Sequence, residues 1–423
     1  MLEMKKYKLS EIASFIGSGM TPLRSNENYW NSKDYPWLKT EQLGEYQIFD
    51  TSEYISKVAL EETNLKLFPK NTLSVAMYGE GKTRGNVSIL AEQMTTNQAC
   101  CNIIVDNKFA NYKFVYYWLK NSYYKLRSLS SGIRNNLNSE DIKKFEINLP
   151  SLPTQQKIAA VLSSLDDKIA LNKKINAKLE AMAKRLYDYW FVQFDYPDKN
   201  GKPYKTSGGK MVWNEVLKRK IPKGWEVVEM SSVIKQINTG LNPRDNFILG
   251  NGKIKYVTVK NLTEEGHIDF SNCDLVNSEA QKIIHERSQI QKGDILFASI
   301  CPLGRCYLIQ DSPEDWDINE SVFSIRPNID KITSEFLYTL LREAYYVKKM
   351  TQKATGSIFK GIRINDIEKI EIVLPPKEVI NAFSKKTLPI FNYQLTIQKE
   401  IQKLTDLRDR LLPLLMNGQV ELE

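Results

Sequence analysis

The chain contains few of the residues that build disulfide frameworks or metal sites. It has five cysteines and two histidines among 423 residues, and the cysteines form no CxxC pair. An odd and scattered set of thiols is typical of a reduced protein and argues against a disulfide framework. The closest approach to a zinc motif is Cys301 and Cys306 with His267 and His285 upstream, but tetrahedral sites use tighter pairs. We therefore expect no metal site.

Long hydrophobic runs are also missing. No stretch of eighteen or more apolar residues occurs, so the sequence predicts no membrane span. The first residues, MLEMKKYKLSEIASF, lack the apolar core of a signal peptide. The expected location is the cytoplasm.

Motifs for catalysis are incomplete wherever they begin. Adenine methylation would need an Asn/Asp-Pro-Pro-aromatic motif, and Asn242-Pro-Arg-Asp245 lacks the aromatic residue. No carboxylate cluster typical of a nuclease is evident. Ala76 to Thr83 loosely fits a phosphate-binding loop, but Arg84-Gly-Asn86 follows where a helix is required. We expect no enzyme, with a P-loop NTPase kept as the least favoured alternative.

What the chain does contain is excess positive charge and a length suited to several domains. Lysine and arginine number 59 against 50 acidic residues, a formal net charge of +9. A basic balance favours a polyanionic partner, because neutralising phosphates releases counterions. A chain of 423 residues exceeds one compact core and predicts at least two domains.

The chain repeats itself once. The pairs Leu9/Met230, Ile12/Val233, Gly19/Gly240 and Pro22/Pro243 all share an offset of 221 residues. The same order continues through Trp37/Tyr256, Lys70/Lys292, Asn97/Asn319, Phe114/Phe336 and Pro150/Pro375. Such collinearity indicates a duplicated α+β unit.

Each unit is followed by a run with heptad spacing. The first runs from Ile158 to Trp190 and the second from Ile390 to Leu415, with Pro413 expected to end or kink the second helix near its last turn. Equivalent positions in a duplication favour two helices packed antiparallel on each other, although separate core helices also fit. About 35 residues of helix span about 50 Å.

The central region resembles a known family. The stretch Arg185-Leu-Tyr-Asp-Tyr-Trp-Phe-Val-Gln-Phe-Asp-Tyr-Pro197, with Gly201-Lys-Pro-Tyr204, Ser207 to Met211 and Ile221-Pro-Lys-Gly-Trp225, resembles type I restriction-modification specificity subunits. So does Leu149 to Ile158, which leads into the first helix. The second helix departs from the pattern, since Pro375-Pro-Lys-Glu-Val-Ile lacks the Gln-Gln of the first.

The resemblance implies two tandem pseudo-symmetric target recognition domains separated by two long antiparallel coiled-coil spacer helices. The predicted divisions are recognition domain 1 at 1–152, the central spacer helix at 153–192, a connector at 193–224, recognition domain 2 at 225–376 and the C-terminal spacer helix at 377–416. Each domain would read half of a bipartite site in double-stranded DNA. Two methyltransferase subunits carrying S-adenosylmethionine would dock on the chain, and restriction-translocase subunits can join them. The chain itself would hold no cofactor.

Basic and polar loops at equivalent places are the candidate DNA contacts. Arginine and lysine bind guanine edges or phosphates, and asparagine binds adenine. The candidates are Lys39, Thr40, Tyr78, Lys82, Arg84, Asn86, Arg134, Asn135 and Asn136 in the first unit, and Lys260, Asn261, Arg305, Ser357, Lys360 and Arg363 in the second. Solvated turns are the structural alternative for each one.

Aromatic residues close the first helix. Tyr189, Trp190 and Phe191 are the candidates for a subunit interface, because interface centres favour aromatic side chains. A plain core where the helix meets a domain explains the same residues. At the level of the whole chain, a coiled-coil protein-binding adaptor without DNA specificity remains the main alternative function.

Overall fold

The computed structural model describes residues 3–79, 81–129, 136–356 and 360–420. The chain divides into two compact units. Unit 1 comprises residues 1–172 together with 400–423, and unit 2 comprises residues 173–399. No helix within these described ranges is both long and apolar enough to cross a membrane.

Strands and helices recur in the same order in both units. The strands of unit 1 are β1 (Lys5–Lys8), β2 (Ala13–Ser18), β3 (Tyr35–Leu38), β4 (Gln47–Ile48), β5 (Glu53–Ile55), β6 (Leu73–Ala76), β7 (Val87–Leu90), β8 (Thr95–Thr96), β9 (Cys100–Val105) and β10 (Glu146–Leu149). Those of unit 2 are β11 (Met211–Asn214), β12 (Arg219–Pro222), β13 (Glu226–Glu229), β14 (Ile234–Thr239), β15 (Ile254–Val257), β16 (Asp274–Val276), β17 (Ile295–Ala298), β18 (Cys306–Leu308), β19 (Trp316–Ile318), β20 (Val322–Pro327) and β21 (Glu371–Leu374). The helices are α1 (Leu9–Ile12), α2 (Lys57–Glu62), α3 (Tyr112–Asn121), α4 (Tyr123–Ser128), α5 (Ser139–Lys143), α6 (Leu152–Tyr187), α7 (Ser278–Ser288), α8 (Ser334–Leu341), α9 (Ala344–Lys353), α10 (Ile364–Glu368) and α11 (Lys377–Met416).

The sheets confirm the duplication. In unit 1 the orders are β2-β9-β6-β7-β4, β5-β3-β8 and β1-β10, and in unit 2 they are β14-β20-β17-β18, β16-β15-β19 and β13-β21. Within each three-stranded sheet one pairing is antiparallel and the other is parallel. The predicted mixed α+β repeat is therefore present. The additions are β4 in unit 1 and the β11–β12 hairpin in unit 2.

A steric requirement explains the repeated glycine at Gly19 and Gly240. A Cβ atom added at Gly19 would lie 2.1 Å from the carbonyl oxygen of Thr96, and one at Gly240 would lie 1.7 Å from that of Ile318. Both distances are far below van der Waals contact. The two units therefore need glycine where their first long strand ends against the edge of the smaller sheet.

Two helices are much longer than the rest. Helix α6 has 36 residues and α11 has 40, followed in the first case by a π-helical turn at Asp188–Val192. The residues that carry the heptad spacing from Ile158 to Trp190, at alternating four- and three-residue steps, are all buried or half-buried. Helix α11 continues through Pro389 and ends at Met416, one turn after Pro413. The expectation that the helix ends near Pro413 is confirmed, since a proline there removes one hydrogen bond of the last turn.

Each long helix contributes its last turns to a hydrophobic core. In unit 2, Tyr187, Trp190 and Phe191 at the end of α6 pack with residues of the sheet and of α8. In unit 1, Leu412 and Leu415 near the end of α11 pack with residues of the large sheet and of α3. This explains why unit 1 comprises two separate stretches of the chain.

Candidate nucleic-acid interface

The first candidate loop joins β6 to β7 in unit 1. Tyr78 is 39% exposed, Lys82 is exposed and Arg84 is half-buried. Residues 81–85 form turns, and β7 begins at Val87, so no helix that could receive a phosphate begins directly after Lys82. The P-loop alternative is therefore wrong, and the loop is a β-hairpin connection that carries positive charge.

The second candidate loop of unit 1 reaches the base of the first. The backbone nitrogen of Leu137 donates to the carbonyl oxygen of Met77 at 3.0 Å. Asn136 is half-buried beside it, whereas Arg134 and Asn135 lie outside the described residues. The structure thus brings together two segments that lie about sixty residues apart in the sequence.

The third candidate segment, Lys39-Thr40, adjoins the same loop and has a structural role. Lys39 forms ion pairs with Glu41 at 2.7 Å and Glu53 at 2.8 Å, and these hydrogen bonds raise its pKa. Thr40 is half-buried at the start of a 3-10 turn. Asn86 donates through Nδ2 to the carbonyl oxygen of Leu43 at 3.1 Å, so its amide fastens that turn to the loop.

Unit 2 assembles its equivalent loops in the same way. The loop between β17 and β18 carries Arg305, which pairs with Glu264 at 3.3 Å. The nitrogen of Cys301 donates to the carbonyl oxygen of Lys360 at 2.9 Å. Lys360 and Arg363 are exposed, while Ser357 lies outside the described residues. Two of the predicted loops therefore lie side by side.

Lys260 and Asn261 occupy a 3-10 turn equivalent to that of Thr40. Lys260 is exposed and pairs with Asp274 at 3.2 Å. Asn261 is 1% exposed, and its side chain accepts from the nitrogen of Thr258 and donates to the carbonyl oxygen of Asp269. A side chain with these contacts is not available to a base edge, so the expected DNA contact is wrong for Asn261.

The aromatic residues at the end of α6 divide into a core and a surface. Trp190 and Phe191 are 3% and 6% exposed, and the Phe191 ring lies 4.7 Å from that of Phe336. These two belong to the core of unit 2, so the expected subunit interface is wrong for them. Tyr189 is 39% exposed and remains available to a partner.

Several contacts around the loops were missed from sequence. Tyr123 and Arg127 of α4 bond the loop of Lys82, and Glu264 bonds Arg305. His267, considered only as a zinc ligand, is hydrogen-bonded to the side-chain amides of Asn176 and Gln398. In the sequence, only the four-residue spacing of Tyr123 and Arg127 indicates that these two side chains lie on one face of a helix.

The charge of the two equivalent two-stranded ribbons differs between the units. The ribbon β1–β10 exposes Lys5, Lys6 and Lys8, whereas the equivalent ribbon β13–β21 exposes Glu226 and Glu229. Among the described residues, no group of three or more histidine, cysteine or acidic side chains is placed to hold a metal ion.

Comparison with known proteins gives the family. A model of the type I restriction modification DNA specificity domain matches residues 1–181 and 222–407. The specificity subunit of the type I restriction enzyme MjaIX from Methanocaldococcus jannaschii is 30% identical over 422 residues, covering 98% of this chain and 93% of that subunit. The HindI specificity subunit from Haemophilus influenzae is 27% identical over 351 residues, covering 70% and 74%.

A solved structure shows the same fold. The crystal structure of the type I restriction-modification S subunit from M. genitalium superposes with a TM-score of 0.57 at 18% identity, covering 98% of this chain and 96% of that one. Specificity subunits are the non-catalytic components of these systems, and DNA sequence recognition is the role of the family. The chain therefore belongs to the family of type I restriction-modification specificity subunits.

Proposed function

We propose that this chain reads a bipartite DNA target, with one half-site for each unit. The observation that supports the proposal most is the duplicated convergence of loops. In unit 1 the loop of Lys82 meets the segment that follows residue 135, and in unit 2 the loop of Arg305 meets the segment of Lys360. Convergent loops on a rigid sheet provide the positioned side chains that base reading needs.

The proposed contacts differ in their chemistry. Exposed Lys82, Lys360 and Arg363 would bind phosphates or guanine edges, because both groups accept hydrogen bonds from cations. Arg305 would release its ion pair with Glu264 and bind DNA instead. Tyr78, Arg84, Arg134, Asn135, Asn136, Lys260 and Ser357 stay in the proposed surface. Lys39, Thr40 and Asn86 would shape the loops rather than touch bases.

The two long helices would act as the spacer between half-sites. In unit 1, Asp166 pairs with Arg408 at 2.7 Å and Asn172 bonds Glu400 at 2.9 Å. Residue numbers rise along α6 as they fall along α11, which supports an antiparallel coiled coil. A helix of 36 residues is about 54 Å long, which exceeds one DNA turn of about 34 Å.

The proposed partners are two methyltransferase subunits. They would bring S-adenosylmethionine and methylate one adenine on each strand, and restriction-translocase subunits would join the same assembly. Exposed Tyr189 at the end of α6 and Trp213 in the connector, 39% and 55% exposed, would contribute to the docking surface. Aromatic side chains are enriched in such interfaces.

Adenine-methylation sequencing tests the proposal in cells that co-express this chain with its methyltransferase subunit. We expect one bipartite motif with a fixed gap. Lys82→Ala should reduce methylation about tenfold or relax one half-site, and Arg305→Ala should do the same at the other. Lys70→Ala is the matched control, because Lys70 is exposed at the opposite end of β6.

Two outcomes would contradict the proposal. A methyltransferase subunit that co-purifies with this chain but yields no bipartite motif would favour the protein-binding adaptor. A motif that stays intact in both alanine variants would remove the loops from base reading.

A further inference from the structure

The loop that carries Lys82 and Arg84 is held by a pair of side chains from α4. Tyr123 donates through its hydroxyl to the carbonyl oxygen of Lys82 at 2.7 Å. Arg127 donates through Nη1 to the carbonyl oxygen of Arg84 at 3.0 Å. The two proposed DNA-contacting residues thus each have their backbone bonded to the same helix.

The pair is itself ordered by direct contacts. Arg127 also donates to the hydroxyl of Tyr123 at 2.9 Å, and its guanidinium lies 5.3 Å from the centre of the Tyr123 ring. The four-residue spacing places both side chains on one face of α4. A donor shared between two acceptors couples them, so losing either side chain loosens both carbonyl contacts.

Close packing adds to these hydrogen bonds. Gly85 has a φ of +87°, and a Cβ atom built there would lie 3.1 Å from Cγ of Arg127 and 3.5 Å from Cδ2 of Tyr123. Gly85 is buried, and its nitrogen donates to the carbonyl oxygen of Ala76 at 2.9 Å. The loop therefore rests directly on the two side chains.

Unit 2 supports its loop through different contacts. A Cβ atom at Gly304 would lie 2.8 Å from Cγ2 of Val347, an apolar residue of α9. The nitrogen of Ile362 donates to the carbonyl oxygen of Ser299 at 2.8 Å, so main-chain bonds contribute to the support. Losing the Tyr123–Arg127 contacts should therefore affect one half-site and spare the other.

We infer that Tyr123 and Arg127 are positioning residues that set base discrimination at the half-site read by unit 1. This rests on the proposed function. Neither side chain needs to touch DNA, since each would act by fixing the peptide groups from which the Lys82 and Arg84 side chains extend. Loop conformation, and with it the geometry of any bidentate contact, would depend on the pair.

The test compares Tyr123→Phe with Tyr124→Phe in the complex of full-length chain and methyltransferase subunit. Tyr124 is the neighbouring residue and is 83% exposed. Methylation rates are measured on duplexes that carry single-base changes in either half-site. Tyr123→Phe should lower discrimination at one half-site about fivefold, the effect of one lost hydrogen bond, and Tyr124→Phe should change neither.

Two outcomes of this comparison would contradict the inference. Unchanged discrimination in Tyr123→Phe, or an equal loss at both half-sites, would overturn the inference, because the second result indicates a general folding defect. Arg127→Met should reproduce the one-sided effect. If wild-type protein shows no bipartite preference, the proposed function itself fails, which is distinct from a wild-type preference that Tyr123→Phe leaves intact.

Discussion

The two long helices are held by different chemistry in the two units. In unit 1 they are joined directly by charged groups, since Asp166 pairs with Arg408 and Asn172 bonds Glu400. In unit 2 the side-chain amides of Asn176 and Gln398 are both bonded to His267, which belongs to a loop of the recognition domain. In unit 1 the two helices are therefore bonded to each other, whereas in unit 2 both are bonded to the same residue of the domain.

In unit 2 the loop that bonds the helices also bonds a residue proposed to contact DNA. The loop that contains His267 also contains Glu264, which pairs with Arg305 and accepts from Arg342 through its carbonyl oxygen. In unit 2 the helices and Arg305 are thus bonded to the same short loop. In unit 1 the domain contacts the charged pair through Tyr117, whose hydroxyl donates to Asp166 at 2.8 Å.

The residues at the end of α6 divide into a buried group and an exposed group. Truncating a buried one should have the largest effect on stability. Phe191→Ala should lower the free energy of unfolding of unit 2 by about 3–5 kcal/mol, because its ring contacts Phe336, Phe383 and Trp225. Tyr189→Ala, next to it but 39% exposed, should cost less than about 1 kcal/mol. Urea unfolding measures both. Similar losses in the two variants would contradict the division between core and surface.

Loss of the charged contact between Asp166 and Arg408 in unit 1 should have the second-largest effect on stability. Asp166→Ala removes the buried carboxylate that pairs with Arg408, whose side chain is only 14% exposed and keeps its pair with the more exposed Asp409, so the free energy of unfolding should fall by about 3 kcal/mol. Lys168→Ala is the control, because Lys168 and Glu400 pair at 3.5 Å on the surface and should contribute less than about 1 kcal/mol. Equal losses in urea unfolding would show that the buried pair has no special role.

The histidine contact in unit 2 should have the smallest effect and a dependence on pH. Burial, together with the charge of Arg342, lowers the pKa of His267 from 6.5. The fold therefore favours the neutral ring, and its contribution to stability is present above pH 6.5 and is lost as the pH falls below it. His267→Gln should cost about 1–3 kcal/mol at pH 8.

Thermal melting at several pH values checks this prediction. The difference in stability between wild type and His267→Gln should shrink as the pH falls from about 7.5 to about 5.5, since the variant has no ring to protonate. A constant difference over that range would show that protonation of His267 does not oppose the fold.

Much of the fold was predictable because it follows from local rules repeated twice. The paired glycines Gly19 and Gly240 mark close backbone approaches, and the heptad spacing from Ile158 onward predicts a long helix that buries one stripe. Because the unit is duplicated, each sequence pattern occurs twice, and a weak pattern in one unit is supported by the equivalent pattern in the other. The family resemblance rested on the central region from Arg185 to Trp225 and on the entry into the first helix at Leu149 to Ile158.

The site was less predictable, because a residue type does not reveal its partner. Asn261 and Trp190 were reasonable candidates from their chemistry, yet both are buried within unit 2. Lys39 has the charge of a DNA contact but is paired with Glu41 and Glu53. Burial and ion pairing depend on side chains that are distant in sequence and that periodicity does not connect.

The sequence by itself determined the duplication, the mixed α+β units, the two long helices and the excess of basic residues. These follow from spacing and composition, which act over a few turns of chain or are preserved by repetition. Only the tertiary structure decided that Tyr123 and Arg127 support the loop of Lys82, and that His267 bonds both helices in unit 2. Such contacts join residues tens to more than a hundred positions apart, and only folding brings their donors and acceptors within hydrogen-bonding distance.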